Sequence, residues 1–266
     1  MFTIRILGRI PVLLADQSRP WLTTAFDGSD ARAPRSNDQG ATTVALPPRQ
    51  RASDVWRLVA AVEVAAAAVA VLVDWLIPSL VLVGLAALSL LVRRCGPSSL
   101  GFHRPADTWR LVGQMAVFAV GWTLFNVAVL IPVTNHLTGT RQDVSAFADL
   151  HGNLRLLAMY LAASWVLAAF CEEAAFRGYL LTRLTDVLGR GRLQVAVAVL
   201  GSSVLFGLLH TEQGLVGVVV AALGGVVFSV LRYRCRTVWA PVFAHGFDDT
   251  LGFTWFFFFG PFYGLW

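Results

Sequence analysis

The 266-residue chain is 56% hydrophobic and only 14% charged, with a mean hydropathy of +0.65. Ordinary soluble domains carry roughly a quarter charged residues, so this composition excludes a soluble globule, and with it a disordered chain, a collagen, a coiled coil and a disulfide-stapled secreted module. The net charge of +5 is built on a basic complement that is arginine throughout, gathered between apolar runs as the loops of a polytopic membrane protein require, and no nucleic-acid partner is expected from it.

Residues 1–56 read as a flexible cytoplasmic tail, because 16–54 are rich in Asp, Arg, Ser, Pro, Gly and Thr and have no helical periodicity. The opening MFTIRILGRIPVLLA imitates a signal peptide, but Arg5 and Arg9 interrupt its apolar run. Residues 57–266 then read as an all-α, polytopic membrane bundle of about seven transmembrane helices. The apolar runs fall at 58–73, 75–92, 111–133, 156–171 with an amphipathic extension to about 188, 193–209, 213–231 and 237–259. Most approach the roughly 17–25 residues that a hydrocarbon core of about 30 Å demands.

Arginines 93, 94, 104 and 110 lie between the second and third runs, 183, 190 and 192 between the fourth and fifth, and 232, 234 and 236 after the sixth. The alternate connections hold Asp74, then Arg141 with Asp143 and Asp149, then Glu212. This asymmetry predicts a cytoplasmic N-terminus and a C-terminal GPFYGLW on the outer side, its aromatics anchored at the interface. The absence of lysine and the Ala/Val richness suggest a high-GC bacterium, and so an integral protein of the inner membrane. Cys95, Cys171 and Cys235 form no CxxC and are read as small hydrophobes.

Topology leaves a set of polar residues at membrane depth without a reason, and buried charge needs a partner or a job. Glu63 stands alone in an Ala/Val helix and is assigned no role. In FCEEAAFRGYL, residues 170–180, Glu173 and Arg177 are an i,i+4 pair able to bridge along one helical face. Glu172, rotated by about 100°, cannot share that arginine equally and stays free to take a proton, as a general base must. The turn Gly189 to Leu193 is centred near Gly191, equidistant along the chain from Glu172 and His210, so a helical hairpin brings both to one depth. Phe206 shares the face of His210 and is expected to wall a pocket. In VFAHGFDDT, residues 242–250, His245 and Asp249 are again i,i+4, while Asp248 points away as a solvated or paired neighbour. Three helices thus offer polar groups to one low-dielectric cavity.

These three elements, EExxxR at 172–177, FxxxH at 206–210 and HxxxD at 245–249, resemble in order and spacing the motifs of the CAAX prenyl protease and bacteriocin-processing intramembrane endopeptidases, the CPBP or Abi family. The resemblance covers roughly residues 150–260, and LGFHRP at 100–105 is similar to a preamble common in bacterial members. The last motif often ends in Asn, where this chain has Asp249. The resemblance implies peptide-bond hydrolysis in the membrane, with Glu172 and His210 activating a water, Glu173 and Arg177 holding that helix, and His245 and Asp249 stabilising the oxyanion. Its substrate would be a membrane-associated peptide or protein. Glu172, His210 and His245 also make a His₂Glu set of the kind catalytic zinc uses, but HExxH is absent and the family is often described as metal-independent, so no cofactor is expected. Two other classes fit the same residues: a proton-coupled carrier in which Glu, His and Asp form a relay, and a catalytically silent scaffold or immunity protein of the same fold.

Overall fold

The computed structural model describes residues 48–74 and 76–260. They form an all-α architecture, with no strand among the described residues. Among the described residues there are seven continuous helices: α1 (Pro48–Leu72), α2 (Pro78–Arg93), α3 (Thr108–Thr138), α4 (Leu154–Leu188), α5 (Arg192–Leu208), α6 (Gly214–Cys235) and α7 (Trp239–Phe259). Short 3₁₀ turns at Pro97–Leu100, Ser145–Leu150 and Thr211–Gln213 shape the connections. The expected tail lies outside the described residues up to 47, and helix α1 already begins at Pro48, inside the stretch expected to be flexible.

The expected seven spans are not equivalent. The helical segments Ser53–Leu72, Thr108–Thr138, Leu154–Leu188 and Thr211–Cys235 are long and apolar enough to cross a membrane. Helices α2 and α5 are apolar but have 16 and 17 residues, about 25 Å of rise each, a little under the thickness of the core. Helix α7 has 21 residues and the necessary length, but with His245, Asp248 and Asp249 along it, it is not one of these four. The second run starts later than its apolar residues suggest because Asp74 and Leu76 adopt positive φ (49° and 56°) and Pro78 takes the first helical position. The last six residues, expected to anchor at the outer interface, lie outside the described residues.

Two helices depart from α winding. In α3 a π segment at Asn126–Leu130 precedes Pro132, whose missing N–H would otherwise leave a gap in the ladder; the wider turn takes up the misfit. Helix α4 is wound as a π-helix over Ser164–Leu180, closing with the Leu181 amide on the Phe176 carbonyl. Such winding is rare and concentrates at functional sites, and here it covers the whole EExxxR motif. Helix α7 tolerates Pro241 because the first-turn amides of a helix have no intrahelical acceptor.

The core has two main parts. One is built by α1, α2, α4 and α5 around Leu82, Phe176, Tyr179, Leu180 and Phe206; the other joins α3, α6 and α7 around Met115, Phe228 and Ala244. Helices α5 and α6 meet almost backbone to backbone: a Cβ on Gly207 would lie 2.6 Å from the Val218 carbonyl oxygen, and one on Gly225 2.9 Å from the Ser203 Cβ. Small residues permit that approach between membrane helices. Helices α4 and α5 form the expected hairpin, turning at Gly189, whose φ of 105° suits a residue without Cβ. Cys95, Cys171 and Cys235 are all free thiols.

Glu63 does not stand alone, as the sequence suggested. Its Oε2 lies 3.0 Å from Arg93 Nη2 and 3.1 Å from Arg183 Nε, tying α1 to α2 and α4. Arg183 also pairs with Asp186, which lies 3.7 Å from Arg190. The partners of Glu63 are 30 and 120 positions away in the chain, beyond the reach of any helical spacing rule.

Candidate active site

The π-wound stretch of α4 buries Glu173 and Arg177 almost completely, at 0% and 1% side-chain exposure. Arg177 Nη1 lies 3.1 Å from Glu173 Oε1, so the expected pair forms. Glu173 does more than brace the helix, however. The same Oε1 lies 3.0 Å from His245 Nδ1 on α7. This bond between α4 and α7 was not legible in the sequence, because spacing rules relate residues only within one helix.

His245 is buried and has a carboxylate at each end of its ring. Nδ1 meets Glu173, and Nε2 faces Asp249 Oδ1 at 3.7 Å, a Coulombic neighbour just beyond hydrogen-bonding distance. The Phe228 ring stacks on the imidazole at 5.3 Å between centroids. Gly246 lets α7 close on α4, since a Cβ there would come within 2.6 Å of the Trp165 ring. Trp165 Nε1 donates to Thr250 Oγ1 at 3.1 Å and fixes that contact. Asp248 is the paired neighbour that the sequence suggested: it accepts from Thr123 Oγ1 on α3.

Phe206 is the hub of the site. Its ring lies 5.1 Å from His210, 6.2 Å from His245 and 5.2 Å from Phe176 by centroids, and the Arg177 guanidinium carbon sits 4.0 Å over its face. The expected wall is therefore also a cation–π support for a buried guanidinium whose Nη1 and Nη2 make no well-aligned hydrogen bond.

His210 lies in the turn that ends α5, its amide donating to the Gly207 carbonyl at 2.9 Å. Nδ1 is 3.1 Å from the Phe206 carbonyl oxygen; an oxygen acceptor there requires Nδ1–H, which leaves Nε2 with its lone pair. The connection before α4 braces this turn from outside: Gln142 Nε2 donates to Gln213 Oε1 at 2.7 Å, and the Asp143 amide to the Gln213 carbonyl at 3.0 Å. Hydrogen bonds from Ser145 hold the exposed Asp143 carboxyl below the usual carboxylate range.

Glu172 has a buried Oε2 with no hydrogen-bond partner and lies within electrostatic range of His245, Asp249, Glu173 and Arg177. No direct hydrogen bond joins it to His210. Among the described residues no three His, Cys, Asp or Glu side chains group closely enough to hold a metal ion. The site gathers Glu172, Glu173 and Asp249 around one guanidinium and two imidazoles, with two orphaned carboxylate oxygens, one each on Glu172 and Glu173, in a largely apolar surround. Such a set can accept, hold and return a proton, and can offer N–H donors to a developing negative charge.

Residues 154–251 match the family model described as "Type II CAAX prenyl endopeptidase Rce1-like". The match begins at the start of α4 and ends inside α7, so it takes in all three motifs and agrees with the resemblance seen in the sequence. Neither the curated proteins nor the solved structures contain a match.

Proposed function

We propose, from the Rce1-like match over residues 154–251, that this integral membrane protein is an endopeptidase that cleaves membrane-associated peptides or proteins with a water activated by Glu172 and His210. The observation that carries the reading is the convergence of α4, the α5 terminus and α7 on Phe206, with the unpartnered Glu172 Oε2 among them. A water between Glu172 and His210 Nε2 would donate one proton to each acceptor. Glu172 takes a proton as the water oxygen attacks the scissile carbonyl carbon, and returns it to the amide nitrogen as the C–N bond breaks. In its imidazolium form His245 keeps one N–H on Glu173 and directs the other toward the carbonyl oxygen as negative charge collects there. Asp249 accepts and does not donate when ionised, so it serves His245 by orientation and charge, and Glu173 and Arg177 are positioning residues. The bilayer supplies the low-dielectric surround. The Arg-rich ends of the helices face the cytoplasm in this reading, as reporter fusions after Arg104, Arg190 and Arg236, against fusions after Gly139 and at Trp266, would test.

Proteoliposomes holding the purified full chain and a candidate membrane peptide are expected to yield new N-termini in wild type and none in Glu172→Gln. Activity is expected to survive chelators and to fall as the pH drops and Glu172 becomes protonated. Stoichiometric zinc lost in parallel with activity would recast Glu172 as a ligand. Proton flux without cleavage would make the same residues a carrier's relay.

A further inference from the structure

Two adjoining cavities are not used by the reaction, and the larger reaches α4 at Phe170 and Ala174. The larger, of about 710 Å³, is an apolar cleft between α2, α4 and α7. Phe102, Phe170 and Trp239 pack against one another in its wall at 5.6–6.1 Å between centroids. The smaller, of about 490 Å³, opens beside it at the ends of α6 and α7. The two share Arg104 and Pro105, so the apolar cleft runs into the second cavity.

The second cavity has the opposite chemistry. Arg104, Arg232, Arg236 and His103 line it, and no carboxylate does. Its frame is fixed: the Thr237 hydroxyl donates to the His103 carbonyl at 2.7 Å, and the Val238 amide to the Gly101 carbonyl at 2.9 Å. Arg232 is held by Thr182 Oγ1 at 3.0 Å and the Leu100 carbonyl at 3.4 Å, against Gly101, whose φ of 94° turns the chain there. Its Nε is nonetheless buried without a hydrogen-bond partner. Arg104 and Arg236 are exposed and free of any acidic partner within the described residues. The neighbouring carboxylate, Asp107, is occupied in capping α3 through the Arg110 amide at 2.9 Å.

We propose that these joined cavities form a binding site for an anionic phospholipid, an acyl chain lying in the aromatic cleft and the phosphate meeting Arg104 and Arg236 with Arg232 behind them. An apolar slot ending in arginines at a membrane interface complements an amphiphile with a negative head. The cleft volume is that of an ordinary ligand cavity. This site is independent of the proposed hydrolysis, because its residues lie outside the Glu172, His210 and His245 cluster.

The full chain in detergent would be titrated with phosphatidylglycerol and with phosphatidylcholine of identical chains, reading retained lipid by native mass spectrometry and thermal stability in parallel. Phosphatidylglycerol is expected to bind and stabilise selectively. Arg104→Ala/Arg236→Ala is expected to weaken it about thirtyfold, and Ala87→Phe, which fills the cleft from α2, to block it with all arginines present. Equal binding of the two lipids, or undiminished binding to both variants, would overturn the proposal. An equal shift from inorganic phosphate or glycerol phosphate would also overturn it, leaving an anion pocket that does not read a lipid.

Discussion

Helix α4 carries two clusters of charge within one length, and they are solved in opposite ways. Toward the arginine-rich end, Glu63 and Asp186 are each met by two guanidiniums, from Arg93, Arg183 and Arg190. Higher along the helix, Glu172, Glu173 and Asp249 face a single guanidinium, that of Arg177, and two histidines. The first arrangement gives every carboxylate a fixed cation and ties α1, α2 and α4 together. The second is short of positive charge, and two buried carboxylate oxygens, Glu172 Oε2 and Glu173 Oε2, are left over. A closed ionic set resists change of protonation, whereas an acid-rich set must share protons, which is what acid–base chemistry uses. The lesson is that the count of partners, more than burial, separates the structural charges of this protein from its candidate chemistry.

The sharpest way to break that comparison is to neutralise one carboxylate in each cluster. Glu172→Gln and His210→Ala are expected to lower peptide cleavage by about 10²- to 10⁴-fold with unchanged insertion and melting, whereas Glu63→Gln leaves turnover near wild type. Near-normal turnover in either of the first two, measured on purified protein, would remove Glu172 and His210 from the chemistry.

Stability should separate the clusters in the other direction. Arg177→Ala leaves Glu173 buried beside His245 without its cation, a loss of about 3–5 kcal/mol for a fully buried pair. Arg93→Ala removes one of the two cations on Glu63, and a contact with the Trp56 ring at 4.8 Å, at about 1 kcal/mol. Equal melting shifts for the two variants in detergent would show that the single inner cation contributes no more than one of the two that meet Glu63.

The fit of α7 against α4 admits a gentler test. Gly246→Ala pushes a methyl into the Trp165 ring and is expected to cost about 1–3 kcal/mol, with activity falling alongside because His245 rides on the same turn. A variant as stable as wild type would mean the two helices can part without cost. Smallest of all, Thr123→Val removes one donor from Asp248 and should cost about 1 kcal/mol with cleavage rates largely kept; a large loss of rate at full stability would bring Asp248 into the site.

The sequence by itself determined what depends on local order. Apolar runs of membrane length, arginine-rich connections, the i,i+4 pairing of Glu173 with Arg177 and the hairpin turn at Gly189 follow from helical periodicity and bilayer thickness, and each can be read from neighbouring residues. The motif residues could be named because each lies within one helix or at its end. What only the tertiary structure decided lies between helices: that Glu63 is shared by Arg93 and Arg183, that Glu173 reaches across to His245, that Phe206 supports Arg177, and that α4 is π-wound where it carries the glutamates. Those contacts join residues 29 to 120 positions apart, and periodicity relates only residues along one helix. A lone carboxylate in an apolar run such as Glu63 therefore gives no sign in sequence of the two arginines it finds; the helices packed beside it make the difference.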